Sequence, residues 1–585
     1  MFCFLQVFLS LFSAGLMALA IPNEFYHYGN PFLGIICLVP LYIALSNAKS
    51  YRRTFLLCFL HGAVTHLLSS YWLSNFQGMA AFTLGASTFG TAMIEGLTGL
   101  LFHYPYTKNS IFKENLKLSI FEVPLRIFWF TFIYVIYEWC KSTGFLAYPW
   151  GTVSMTAWNF HLLTQIVDIT GPYGLTFIFV FISALLGEGF VLVTSGNSYL
   201  RKDFRHYSFL SSARFILAVS VLSMLYGTWQ YSKKRTPVKT IDTVMVQQNM
   251  QTFRANEEDE ILLSEKLTDQ GFSEFNVMNK KPDLVVWSEG VLNKYFPDSQ
   301  YYYEIIPESK PLMTYIKQKK VPFIIGGSLT INREKHKFGN AAILISPKGK
   351  YTGAYVKLHL VPFAEAIPFV EYEFVRNFIK KIAGFSYGWT QGSRYVLFDI
   401  PIKESNLLDS GPVELISPVN SKKTNPTVKV SVPICYDDAF GHVCRGLFLA
   451  GSELFMNITN DSWSQKESAE YQHFVIAAYR AIEFRTTLAR CTNAGVTAVV
   501  DPSGRILQSL PLFTEGYLAC SIPVYEHKMT FYARYGEWLP YSIMILVLII
   551  IISLEKFSSE NKITEISTEL LKKRRRRKVK PVEEV

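Results

Sequence analysis

A helical membrane domain of about eight spans joined to a layered α/β domain is the fold class the sequence predicts. Three observations carry it. Half of the 585 residues are hydrophobic and only 18% are charged, the balance of a chain partly in membrane. Apolar runs of roughly 20 residues, the length a spanning helix needs, fill residues 1–232 and recur once near the C-terminus. Between them, from Val238 to Arg534, short β-rich runs alternate with helical stretches, the signature of packed helix and sheet layers.

The apolar segments lie near 3–21, 31–46, 55–74, 79–103, 119–140, 173–194, 215–232 and 537–554. The last, with its block Ile549 to Ile552, is the clearest; the second contains Pro40. The first has no basic leader and no small-residue cleavage site, so it reads as a retained helix rather than a signal peptide. Loop charge orients them. The connection at 47–54 carries Lys49, Arg52 and Arg53; that at 104–118 carries Lys108, Lys113 and Lys117; that at 195–214 carries Arg201, Lys202, Arg205 and Arg214. The alternate connections at 22–30 and 75–78 carry no Lys or Arg, and 141–172 has only Lys141. Basic loops stay cytoplasmic. The expected arrangement is therefore a helical domain over 1–232, an exoplasmic domain over 233–536, a final span over 537–554 and a cytoplasmic tail over 555–585.

That tail holds the run Lys572 to Lys578. It supplies much of the net charge of +11, so the charge reads as topological and predicts no nucleic-acid partner. Glu95, Glu122, Glu138 and Glu188 fall inside predicted spans without visible partners, the pattern of a transport path if they prove unpaired. The loop 141–172 is apolar for an exposed segment, with Phe145, Tyr148, Trp150, Trp158 and Phe160. It reads either as an interfacial aromatic belt or as a wall of a substrate chamber.

In the soluble region Ile241–Gln247, Leu284–Trp287, Phe323–Ile325, Ala341–Ser346, Val428–Ile434, Leu454–Ile458, Val496–Val500 and Leu518–Ile522 read as strands. Their unbroken apolar character predicts sheets covered on both faces. Residues 257–279, 310–319 and 468–486 read as helices, and the polar stretch 403–427 as a surface insertion. Gly326-Gly327-Ser328 reads as a turn after a strand.

The eight cysteines form no CxxC pair, which leaves zinc and dithiol chemistry without support; no metal and no cofactor is expected. Only Cys435 stands at the end of an apolar strand and before a turn. Glu289 ends the run Leu284 to Glu289, and Lys357 opens Lys357-Leu358-His359-Leu360-Val361-Pro362-Phe363. A thiol, a carboxylate and an ammonium in one pocket make a set for covalent acyl transfer: attack, proton removal and oxyanion stabilisation. Proximity to Lys357 is expected to favour the Cys435 thiolate. Asn460-Asp461 reads as a turn, and His359 and His473 as structural or pocket-polar groups.

Val286-Trp287-Ser288-Glu289, Tyr355-Val356-Lys357 and Ile434-Cys435-Tyr436-Asp437 resemble the motifs of the nitrilase, or carbon–nitrogen hydrolase, superfamily. Phe145 to Trp150, His359 to Glu365, Asn460-Asp461-Ser462-Trp463, Gln472-His473, Arg490 to Gly495 and Tyr535-Gly536-Glu537-Trp538 resemble its bacterial apolipoprotein N-acyltransferase branch. Ser288, Ala364 and Asp437 replace the branch's usual residues, and only Phe253 stands where it carries a loop tryptophan.

The resemblance implies an αββα sandwich on a multi-pass domain in the bacterial cytoplasmic membrane. It implies a phospholipid acyl donor, a diacylated apolipoprotein acceptor and a thioester intermediate. Glu289, Lys357 and Cys435 would be the catalytic residues. Glu365, Tyr436, Asp437 and Asn460 would support them, Glu365 by orienting the lysine or the amine. Trp150, Phe363 and Trp463 would contact substrate. A membrane-anchored amidase using the same residues, and a non-enzymatic lipid carrier, are the alternative readings.

Overall fold

The computed structural model describes residues 2–76, 80–107, 120–194, 199–251, 256–366, 372–383, 388–408 and 426–578. Lys108, Lys113 and Lys117, Phe253, and residues 409–425 of the expected insertion lie outside them.

The region before the α/β domain is helical, and among its described residues three helices have the length and composition of a span. Among the described residues of the chain, four helices are long and apolar enough to cross a membrane: Glu122–Lys141, Tyr173–Thr194 and His206–Ser232 before the α/β domain and Trp538–Ser559 after it. The second predicted segment breaks into Pro31–Ile36 and Val39–Ser46, with Pro40 at the start of the latter, where its missing N–H costs nothing. Helix Tyr51–Ser69 carries Arg52, Arg53, His61 and His66, and Ala80–Gly99 is diluted by Gly, Ser, Thr and Glu95. The final helix runs on past the predicted span, from Trp538 to Lys578.

The acidic residues that lacked visible partners have them. Glu95 pairs with His61 at 2.6 Å. Glu122 and Glu188 share Arg126, at 2.6 and 3.5 Å. Glu138 accepts the Val153 N–H and the Thr176 hydroxyl, both at 2.6 Å. These are structural clamps, and the transport reading loses its candidates.

Thirteen strands build the α/β domain: β1 (Lys239–Gln247), β2 (Leu284–Trp287), β3 (Leu292–Phe296), β4 (Phe323–Asn332), β5 (Lys337–Ile345), β6 (Tyr351–Val356), β7 (Leu397–Pro401), β8 (Thr427–Ser431), β9 (Leu454–Thr459), β10 (Thr487–Thr492), β11 (Ala498–Val500), β12 (Ile506–Ser509) and β13 (Gly516–Val524). One sheet has the order β13-β1-β2-β4-β5-β6 with β3 beside β4; the other has the order β12-β11-β10-β9-β8-β7. Side chains alternate across each strand. Val244, Val246, Val285 and Trp287 pack outward with Ile261, Leu267 and Phe275 of helix Glu257–Val277. Met245, Val286 and Ile324 face inward, into the same core as Val430, Met456 and Leu488 of the second sheet and Phe474 of helix Glu467–Phe484. The layers are therefore helix, sheet, sheet, helix.

Gly326 and Gly327 lie inside β4 rather than in the predicted turn. A Cβ on Gly326 would sit 2.4 Å from the Glu289 Cα and the Ser288 carbonyl. Only glycine lets β4 pass that close, and the strand in turn fixes where Glu289 stands.

The domain is tied to the helices beneath it. Gln472 donates to the carbonyls of Pro22 and Ser69, both at 2.9 Å. Arg485 pairs with Asp168 at 2.7 Å, and the Trp139 indole donates to Glu537 at 2.7 Å.

Candidate active site

The first residues after β2, β6, β8, β9 and β10 meet at one edge of the sandwich. β1, β2 and β4 run parallel, as do β8, β9 and β10. Their C-terminal ends therefore share a side, where α/β proteins place their sites. Glu289 follows β2, Lys357 follows β6, Asn460-Asp461 follow β9 and Asn493 follows β10. Cys435 follows β8 by a short extended link and adopts φ +46°, a conformation uncommon outside glycine and found at active sites.

Lys357 is buried between two carboxylates. Its Nζ lies 3.2 Å from Glu289 and 2.9 Å from Glu365. Both carboxylates also accept from the Asn340 amide, at 2.7 and 3.0 Å. Glu289 takes a third bond from the Asn460 N–H at 2.9 Å, and Glu365 one from the Val361 N–H at 2.9 Å. The expected placements of Glu289, Lys357, Glu365 and Asn460 thus converge. Asn340 was missed in the sequence; its signal is a polar residue entering an apolar strand.

Asp437 has a specific job here. One carboxylate oxygen accepts the N–H groups of Leu358 and His359, at 3.1 and 2.7 Å. The other accepts the Ile434 N–H at 3.1 Å and the Tyr355 hydroxyl at 2.8 Å. A single buried carboxylate ties the cysteine loop to the lysine loop, and burial pushes it up to about 7.

A second charged cluster touches the cysteine. Asp461 Oδ1 lies 3.9 Å from Cys435 Sγ. Its Oδ2 accepts from His473 Nδ1 at 2.8 Å and lies 3.6 Å from Arg490. His473 Nε2 faces Asp438 at 2.9 Å. The His473 ring therefore bridges two aspartates of the pocket. Burial opposes its charge, but Asp461 and Asp438 outweigh burial and push it up to about 9. Burial and the Asp461 charge push neighbouring Glu470 up to about 8.

Lys357 favours the Cys435 thiolate, as expected, but it is outweighed. Enclosure of the Cys435 thiol and the Glu289 charge push its pKa well above the usual range, and Lys357 does not overcome them. That direction favours the thiol over the thiolate, and a thiol nucleophile calls for a base. Burial raises the proton affinity of Glu289, reinforced by Glu365 and opposed by Lys357 and Asn340. Burial disfavours the Lys357 ammonium, but Cys435, Glu289 and Glu365 hold its pKa well above the ordinary lysine value. The arrangement offers an enclosed thiol, a carboxylate that can take a proton and return it, and a permanent cation.

The aromatic loop joins the site. The Trp150 ring stacks on Tyr436, centroids 5.2 Å apart and planes within 12°, and the Tyr436 hydroxyl donates to the Ala147 carbonyl. Trp150 and Trp158 are buried, which favours a chamber wall over an exposed belt. Trp463 is half-buried, 5.6 Å from Trp72 and 5.5 Å from Phe76. Phe363 is half-buried at φ +64°.

Comparisons with known proteins agree with this layout. The apolipoprotein N-acyltransferase N-terminal domain family matches residues 13–185, and the carbon–nitrogen hydrolase family matches 244–526. An apolipoprotein N-acyltransferase 2 of Treponema denticola is 41% identical over 94% of this chain and 98% of its own length. A second, from Treponema pallidum, is 34% identical over 92% and 93%. An apolipoprotein N-acyltransferase of Borreliella burgdorferi is 29% identical over 96% and 98%.

Proposed function

Because this chain belongs to the apolipoprotein N-acyltransferase family, we propose that it moves an acyl chain from a phospholipid to the α-amino group of a lipoprotein's N-terminal S-diacylglyceryl-cysteine. The observation that carries the assignment of residues is the buried Lys357–Glu289 pair, 3.2 Å apart, beside an enclosed thiol.

In the first half-reaction Glu289 takes the Cys435 thiol proton and the sulfur attacks the phospholipid ester carbonyl. Lys357 and the main-chain N–H after Cys435 stabilise the oxyanion. Glu289 returns the proton to the leaving glycerol oxygen, so a lysophospholipid departs and a thioester remains. In the second, the acceptor amine attacks that carbonyl, an amide forms and the thiol is regenerated. Two lipid substrates used in turn make the kinetics ping-pong.

The reading extends to the membrane. The full complement of eight spans, with both termini cytoplasmic, is supported by loop charge. The side occupied by the catalytic domain needs less. If the helix Trp538–Ser559 crosses the membrane, the domain before it and the basic tail after it lie on opposite faces whatever the number of earlier spans. A basic cytoplasmic tail puts the catalytic domain outside, where lipoprotein N-termini are displayed.

The test is mass spectrometry of a diacylated lipopeptide incubated with the purified protein and phospholipid. The expected product carries one added acyl chain on its α-nitrogen. Unmodified peptide with steady release of free fatty acid would identify a hydrolase instead.

A further inference from the structure

Four of the carboxylates around the reacting sulfur are not equally engaged. Glu289 and Glu365 each hold Lys357 and Asn340. Asp438 faces His473 and Arg490. Asp461 receives its cations, His473 and Arg490, on Oδ2. Its Oδ1 points the other way. The donors on Oδ1 are neutral: the Cys435 thiol at 3.9 Å and the Thr459 hydroxyl at 3.4 Å.

We infer that Asp461 Oδ1 is the docking point for the protonated α-amine of the acyl acceptor, a primary-ammonium subsite beside the thioester. The inference rests on the proposed acyl transfer and adds the group that receives its second substrate.

Charge favours this ligand. Among the described residues the carboxylates around the site (Glu289, Glu365, Asp437, Asp438, Asp461) outnumber its cationic groups (Lys357, His473, Arg490), which favours an arriving monocation over a lipid phosphate. An α-amine, with a pKa of about 8, arrives mostly as ammonium at neutral pH. The chemistry also sets the timing. When Cys435 becomes a thioester it loses its S–H, and Oδ1 loses that donor. The carboxylate oxygen is then open to a new donor on the side of the acyl carbon. A charge-assisted bond of about 2.8 Å from Oδ1 holds the nitrogen within reach of the carbonyl bonded to Sγ.

The protons balance. The ammonium gives one proton to Asp461 and thence to solvent, and its lone pair attacks the carbonyl carbon. As the C–N bond forms and the C–S bond breaks, the second proton passes through Glu289 to the departing sulfur. The products are the amide, the free thiol and one released proton. His473, paired to Oδ2, keeps the carboxylate turned towards the sulfur.

The test separates acceptors by charge. The thioester is formed with phospholipid alone and then chased with a diacylated lipopeptide or with hydroxylamine, a nucleophile uncharged at neutral pH. Asp461→Asn is expected to slow transfer to the lipopeptide at least about 10-fold more than transfer to hydroxylamine, the scale of one charged hydrogen bond. Equal slowing of both, within about 3-fold, overturns the inference. Should Asp461→Asn form no thioester because the buried network fails to fold, Asp461→Glu is read instead. Retention of the wild-type lipopeptide-to-hydroxylamine ratio supports the subsite, and a 10-fold fall in that ratio, the same scale, overturns it. Absence of a thioester on the wild-type protein is seen before any chase and counts against the acyl-transfer reading itself.

Discussion

The Asp437 carboxylate accepts the main-chain N–H of His359 at 2.7 Å, so the residue two positions after the cysteine holds the segment two positions after the lysine. Nothing in the chain's order brings these loops together. Asp437→Ala would leave the Leu358, His359 and Ile434 N–H groups and the Tyr355 hydroxyl without their acceptor. The expected cost is about 3 kcal/mol, read as a lower melting temperature in detergent together with slower thioester formation. An unchanged melting temperature would mean that water replaces the carboxylate and that it does not position the loops.

Glu289 sets the acid limb of activity. It works as a base only when ionised, and burial raises its pKa. The rate of thioester formation should therefore rise with pH, with a midpoint above about 4.3, the value of a free glutamate. Glu289→Gln should remove this limb and slow the step by roughly 100-fold or more. A limb that survives the substitution would belong to another group.

His473 links stability to pH in the alkaline direction. Its folded pKa, about 9, exceeds the value of about 6.5 in an unfolded chain. The folded state therefore binds the proton more tightly. Its contribution is complete below pH 6.5 and is lost as pH rises through 9. Thermal melts over that window should show falling stability, and His473→Gln should flatten the slope. A slope unchanged by the substitution would show that the ring is neutral and the two aspartates are compensated otherwise.

Orientation is tested by thiol labelling. Glu334→Cys, on the exposed β4–β5 connection, should react with a membrane-impermeant reagent in cells whose outer barrier is permeable. Ser558→Cys, at the far end of the last span, should react only after the membrane is breached. The reverse result would put the catalytic domain on the cytoplasmic side, away from the proposed acceptor.

Glu289 and Cys435 are legible in sequence because each follows an apolar strand, whereas Lys357 follows the weakly patterned β6 and is legible only through the motif it opens. Glu289 closes an apolar run, and Cys435 precedes a turn. Five strands are not expected from the sequence: β3 (Leu292–Phe296), β6 (Tyr351–Val356), which contains glycine, β7 (Leu397–Pro401), short with Asp399, β10 (Thr487–Thr492), which carries Arg490, and the short β12 (Ile506–Ser509). Their identity comes from pairing rather than propensity. The His473–Asp461–Asp438–Arg490 cluster was illegible for another reason. It joins four elements, and no local spacing records which charges face each other. Lys357 does favour the Cys435 thiolate, as its place in the sequence suggests, but the burial that outweighs it is not visible there.

In the proposed mechanism the acyl chain rests on Cys435 between donor and acceptor. Intact-mass measurement of the protein after incubation with phospholipid alone tests it most directly. The account expects a mass increase of one acyl chain, mapped to Cys435, removed by hydroxylamine and absent in Cys435→Ser, whose hydroxyl Glu289 cannot usefully ionise. An unmodified Cys435 in a protein that still acylates the lipopeptide, or activity that survives Cys435→Ser, would contradict it.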